Sequence, residues 1–367
     1  MKRPFLPEIT YMRGLCMLGV IAIHVGSIAL LNPAANPQLI SVLEILSRFS
    51  VPAFFFLSAF GLFYHTPVDA PFSYGAFLRR RIQVVLWPYL AWSLLYSIYS
   101  GLTMHSWDGL LPRYLLPTLF FGNGYYHLYF MVILLWFYLL MPVWRVIVRA
   151  ILPHPVLWLS VIFIGQTAFN FYFAYFGGHI VFENPALQYA YSMRLNYWVA
   201  HYVWIFLLGA VLAEKYEVIP ALFWRWRIVL TTVFALSIMA MLGGYYYVMN
   251  EWHYTLLEAI YTIHQLSPMG MVYTGAGTLF FLFYFQASPI SDTARAVWEQ
   301  LGEHSYGIYL IHPFMLIIVT AWMTKMNFAY TVPAVIALYV CAVCMSYLGA
   351  LALTATPKWL HRILLGH

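Results

Sequence analysis

Charge is what this chain has least of. Asp, Glu, Lys and Arg make up 8% of its 367 residues, against about 25% in an ordinary soluble domain. With 63% hydrophobic residues and a mean hydropathy of +0.77, too few charges remain to cover a water-facing surface. That excludes a soluble globular protein. Phosphate-cradling loops are missing as well: there is no Walker lysine motif, no GxGxxG and no GxSxG with triad partners, which argues against nucleotide hydrolysis and soluble hydrolase chemistry. Cysteine is scarce. Cys16 stands alone, while Cys341 and Cys344 form CxxC inside an apolar run. Helical spacing there predicts buried small hydrophobes, not a redox or metal pair, and no metal site is expected. There is no internal repeat or low-complexity tract. With the longest loop at about 20 residues, a single membrane domain over 1–367 is expected, with no appended soluble domain.

What is present is apolar length. Ten runs are long enough to cross hydrocarbon as helices, at roughly 10–31, 39–64, 82–103, 127–148, 155–176, 196–213, 228–250, 268–286, 305–324 and 332–354. Proline, glycine and charge punctuate the gaps, as in NPAANP after the first run and PKWLHR after the last. The segment 104–126, with LLPTLFF, is a candidate re-entrant loop. The predicted fold class is all-α: a polytopic bundle of about ten spans. The 20% aromatic share suits membrane interfaces.

Lys and Arg set the predicted sidedness. With the N-terminus in the cytoplasm, fourteen fall inside: Lys2, Arg3, Arg13, Arg79, Arg80, Arg81, Arg145, Arg149, Lys215, Arg225, Arg227, Arg295, Lys358 and Arg362. Arg113, Arg194 and Lys325 fall outside, and Arg48 lies within a span. Both termini are therefore expected in the cytoplasm, and the net charge of +6 is mostly topology, not a nucleic-acid footprint. The first run is too long for the apolar core of a signal peptide, so it is read as a retained span.

Ionisable residues inside spans are costly and are functional candidates by default. In RGLCMLGVIAIH, Arg13 and His24 stand eleven positions apart. At about 100° and 1.5 Å per residue they share one stripe to within about 20° and are roughly 16 Å apart along it. Arg13 thus lies near one surface and His24 near mid-membrane. Glu44 and Arg48, at i,i+4, can pair on one face of the second span, and Arg48 reaches a depth similar to that of His24. A neutral imidazole there suits acceptance of a hydroxyl proton. The plainer alternatives are a charge pair that only locks two helices together and a histidine bonded to a neighbouring helix. His312 lies about a third of the way into the ninth span, before Pro313, whose missing N–H frees a carbonyl. His127 opens the fourth span. His201, Gln166 and Asn170 read as structural, and His264, Glu251 and Glu258 as solvated loop residues. FLRRRIQVVLWPY places Arg79, Arg80 and Arg81 at a span mouth, either as topology signal or as forks for a phosphate-bearing ligand.

These segments, in order, resemble the acyltransferase-3 family of integral membrane acyltransferases. RGLCMLGVIAIH matches its R-x10-H start, and SRFSVPAFFFLSAFGLF its R-x-x-V-P-x-F-F-x-x-S-G-F segment. FLRRRIQVVLWPYL resembles its arginine-rich loop, while HLYFMVILLWFYLLMP and SYGIYLIHPF resemble later spans. One departure stands out: the usual Ser-Gly reads Ser58-Ala59, with Gly61 two places on. The resemblance implies an O-acyltransferase in the plasma (inner) membrane. It would move acyl groups, here taken as acetyl, from cytoplasmic acyl-CoA, without a metal, to hydroxyls of a cell-surface glycan or lipid-linked sugar. His24 becomes the general base or a transient acyl carrier. Arg13 orients the donor, and Arg79, Arg80 and Arg81 bind CoA phosphates. Arg48, held by Glu44, steadies the oxyanion, while His127, His312 and Ser58 contact substrate. Since no extracytoplasmic domain is appended, transfer finishes within the membrane domain or on a separate extracytoplasmic partner. A transporter or flippase of a lipid-linked sugar is the rival reading of the same mid-membrane charges, and a non-catalytic membrane subunit is another.

The charge asymmetry predicts its own test. A periplasm-active reporter fused after Arg81 should be inactive, and one fused after Arg113 should be active; the reverse pattern would reject the orientation.

Overall fold

In hydrocarbon every backbone polar group must be bonded within its own segment, so apolar runs of this length fold as helices. The structure is a computed structural model that describes residues 3–32, 35–287 and 290–366. Lys2 and the Pro33-Ala34 part of NPAANP lie outside the described residues. Among the described residues every regular element is helical. The main helices are α1 (Pro7–Ala29), α2 (Pro37–His65), α3 (Tyr74–Met104), α4 (Tyr129–Leu139), α5 (Met141–Ile151) and α6 (Pro155–Tyr175). They continue with α7 (Val203–Glu214), α8 (Tyr216–Asn250), α9 (Pro268–Ala287), α10 (Asp292–Glu303), α11 (Ser305–Lys325) and α12 (Val332–Thr354).

Eight of these are long and apolar enough to span: α1, α2, α3, α6, α8, α9, α11 and α12, or nine spans if α4 and α5 count as one. Two expected spans therefore take another form. The run 127–148 is not one rod: α4 and α5 meet at 69°. Pro142, at the start of α5, has no N–H to continue the α4 ladder. The run 196–213 supplies only the short helix α7 after a 3-10 turn, Val199–Tyr202. The segment 104–126 carries a ten-residue helix, Pro112–Phe121. Cys341 and Cys344 also differ from expectation, because both are exposed on the outer face of α12 rather than buried.

The core is built on close approaches at glycine. Gly26 of α1 lies against α2, where an added Cβ would stand 2.8 Å from the Glu44 side chain. A Cβ at Gly19 would overlap Ser50, one at Gly209 of α7 the Phe56 carbonyl oxygen, and one at Gly302 of α10 that of Thr10. Small residues at such crossings let backbones come together where no hydrophobic force drives helices to associate. At the end of the bundle holding the N-terminus of α1, Arg145 of α5 fastens the α2–α3 loop. Its guanidinium donates to the carbonyls of Thr66, Pro67, Val68 and Ala70 at 2.7–3.0 Å and lies over the Phe72 ring. That loop leads directly into the arginine-rich start of α3.

Gly209→Ala should destabilise the protein by about 1–3 kcal/mol, the usual cost of overpacking a tight contact against unyielding backbone. Thermal unfolding in detergent reads this, and an unchanged midpoint would contradict the packing.

Candidate active site

α2 does not run as a regular helix past its polar residues. Ser41–Leu46 is a π-helical turn, and α-geometry resumes only at Ser50. Such turns are frequent at functional sites because they turn side chains out of the regular ladder. Glu44 and Arg48 pair across this stretch at 2.9 Å. Glu44 is 1% exposed, and its other oxygen accepts from Ser27 Oγ at 2.6 Å. Arg48 also donates to Gln265 Oε1 at 3.2 Å. The expected ion pair is thus present, with Ser27 on the carboxylate and Gln265 on the guanidinium, while Arg48 Nε has no partner among the described residues.

Arg48 opens onto a cavity of about 110 Å³, whose polar wall is His24, Arg48, His127, Tyr129, Gln265 and Tyr309. Its apolar wall is Val20, Ile23, Val51, Phe54 and Phe130. Glu44 is not part of the lining; it braces Arg48 from behind. His24 makes no hydrogen bond among the described residues; its ring stacks on His312 at 5.2 Å and meets Tyr126 at a tilt, 4.4 Å away. His127 meets His312 edge-on at 5.2 Å, and both of its ring nitrogens lack a partner among the described residues. His312 Nδ1 sits 2.7 Å from the Tyr309 carbonyl oxygen. This is the acceptor that Pro313 leaves free, since its N–H would have come from position 313. A carbonyl only accepts, so Nδ1 carries the proton and the unpartnered Nε2 is left with its lone pair.

The depth estimate separated His312 from His24, yet the structure stacks them. Gly14 packs against Leu301 and Gly302, and ten residues further along each chain segment come His24 and His312. Loop 251–267 also differs from expectation. It folds back over the cavity, with Gln265 as wall and Leu266 and Ser267 buried. A capping box fixes its helix, Leu256–Thr262: Glu258 accepts from Thr255 N and Oγ1 at 2.8 Å, which holds that carboxylate below its usual range. No sequence signal marked Gln265; its only cue is amide chemistry in a loop.

Arg13 lies in a second chamber. Its side chain is exposed although protein surrounds it, and it makes no hydrogen bond or ion pair among the described residues. An added Cβ on Gly61 would stand 3.8 Å from its guanidinium. The glycine displaced within the family pattern therefore sits beside Arg13, at a distance where a small side chain would still be in ordinary contact. Ser58 bonds the Tyr138 hydroxyl at 3.1 Å, and Arg81 lies over the Phe77 and Tyr138 rings at 5.3 Å. Arg79 and Arg80 are exposed, and Arg79 borders an open depression of about 510 Å³ with Trp87 and Gln83. Of the nine nominated residues besides Glu44, His24, Arg48, His127 and His312 gather at the first cavity; Arg13, Ser58 and Arg81 gather around Tyr138 at the second; and Arg79 and Arg80 lie exposed outside both, Arg79 at the open depression. His201, Gln166 and Asn170 form a separate buried clamp. Both amides donate to the His201 carbonyl, and Gln166 accepts from Trp204 N at the start of α7. Among the described residues no group of three or more His, Cys, Asp or Glu is placed to hold a metal ion.

The acyltransferase-3 model, an acyltransferase domain, matches residues 6–355. The chain belongs to that family. It is also similar to "Putative membrane-bound acyltransferase YfiQ" of Bacillus subtilis (strain 168), with 24% identity over 350 residues, covering 92% of this chain and 88% of the relative. No solved structure matches. Family membership makes this a membrane acyltransferase and gives the two chambers a chemical frame.

Glu44→Ala should cost about 3–5 kcal/mol, because it strands Arg48 as an uncompensated charge. Adding Arg48→Met should recover much of that loss. Equal unfolding midpoints for the single and double variants would contradict the pairing.

Proposed function

We propose that the protein transfers an acetyl group from cytoplasmic acyl-CoA to a hydroxyl of a cell-surface glycan or lipid-linked sugar. The cavity that His24 and Arg48 share, with His24 free of other bonds, is the observation that carries this reading. The exposed fork of Arg79, which shares an open depression with Trp87, and that of Arg80, exposed next to it in the chain, fit a nucleotide phosphate at the cytoplasmic mouth. Arg13 then orients the pantetheine arm, and the thioester reaches His24 roughly 16 Å further in. The acceptor hydroxyl enters from the other side, past His127.

In the direct route His24 removes the hydroxyl proton as the oxygen attacks the thioester carbonyl carbon. Arg48 balances the negative oxygen of the tetrahedral intermediate. The C–S bond then breaks, and the CoA thiolate leaves with the proton that His24 returns. In the relay route a His24 nitrogen attacks the thioester carbonyl carbon, the C–S bond breaks and the thiolate leaves with the proton of the other ring nitrogen; the acceptor oxygen then takes the acyl group as the N–C bond breaks, and its proton returns to the ring. His312, its tautomer fixed by the Tyr309 carbonyl, backs the His24 ring in either case. Glu44 is best read as the group that holds Arg48 rather than one that meets substrate.

With purified protein in lipid, radiolabelled acetyl-CoA and an envelope glycan fraction, CoA release should require the glycan. It should fall about 100-fold or more in His24→Ala, the lower range for a lost general base, and in Arg13→Ala through weakened donor use. Label retained on wild-type protein alone would select the relay. Unchanged turnover in His24→Ala would remove His24 from the chemistry, and no use of any acyl-CoA would favour the transporter.

A further inference from the structure

The two chambers lie along one face of α2. Gly61, Ser58 and Phe54 share a helical stripe to within about 60°; the first two border the Arg13 chamber and the third the His24 cavity. The packing of Gly19 on Ser50 and of Gly26 on Glu44 fixes the antiparallel register. In that register Phe54 stands level with Leu15 and Cys16, above Arg13 and below His24. There it meets Phe130 of α4 edge-to-face, with ring centroids 6.0 Å apart. Phe130 is held in turn by Phe55 at 4.6 Å and by Tyr309 at 5.6 Å.

We propose that the Phe54–Phe130 pair is the barrier between the chambers and the throat that a donor arm must part to reach His24. Two rings in edge-to-face contact leave no room for a chain between them. Without such a barrier, a polar chamber at Arg13 would join a polar cavity at His24 and Arg48 in a continuous wet path through the membrane. Apolar constrictions block such paths by excluding water. Phe130 is braced by Phe55 and Tyr309, whereas Phe54, half-buried at the cavity wall, has Phe130 as its one ring partner among the described residues, so Phe54 is the leaf that swings. The donor's need for the throat rests on the proposed acyl transfer; the sealing role does not.

The test is proton leak in proteoliposomes carrying an internal pH dye and a potassium diffusion potential. Wild type and Phe54→Leu should be tight. Phe54→Ala and Phe130→Ala, each checked for monodisperse folding, should leak roughly tenfold faster or more as the constriction wets. If one alanine variant fails to fold, the other and Phe54→Ser decide. Folded small-residue variants as tight as wild type would overturn the barrier. In the same vesicles, Phe54→Trp should slow acetyl transfer through kcat with little change in donor KM. Transfer at the wild-type rate in Phe54→Trp would overturn the throat. Absence of transfer in wild type would overturn the functional reading and the throat with it, while the leak result would still judge the seal.

Discussion

Glu44 and Arg48 keep a positive charge inside a hydrocarbon-spanning bundle, and the surrounding helices are arranged around that fact. A lone guanidinium there is costly. Glu44 answers it at 2.9 Å, Ser27 occupies the other carboxylate oxygen, and Gln265 takes a further N–H. Each partner imposes a condition on the fold. Glu44 needs the π-helical turn of α2, Ser27 needs α1 drawn close at Gly26, and Gln265 needs the loop after α8 folded back over the cavity. The same conditions bring His24, His127 and His312 to one place.

The histidines are organised by backbone chemistry more than by side-chain bonds. Pro313 frees the Tyr309 carbonyl, and His312 takes it. The Tyr309 hydroxyl donates to the His127 carbonyl at 2.5 Å, tying α11 to the turn that leads into α4. His24 then lies against a ring whose tautomer and position are fixed, while its own nitrogens stay available. A catalytic group needs that combination: held in place, but not already bonded.

The spans were legible because hydrocarbon demands long apolar helices, and Arg13, His24, Glu44 and Arg48 were legible because charge inside such helices is rare. What escaped the sequence was tertiary. The 69° break between α4 and α5 needs Pro142 together with the docking of α5 by Arg145. The stacking of His312 on His24 depends on where α10 meets α1. Gln265 lies in a polar loop that gives no sign of folding inward. The exposure of Cys341 and Cys344 reflects which face α12 turns outward, and small residues at helical spacing do not reveal that.

The central claim is that Arg13 and His24 serve substrates arriving from opposite sides. Oriented proteoliposomes with labelled acetyl-CoA confined to the side of the N-terminus, and a glycan acceptor confined to the other, measure it directly. The account predicts acetylated acceptor across the sealed membrane, and none when the two compartments are exchanged. Product formed only when donor and acceptor share one compartment would contradict it.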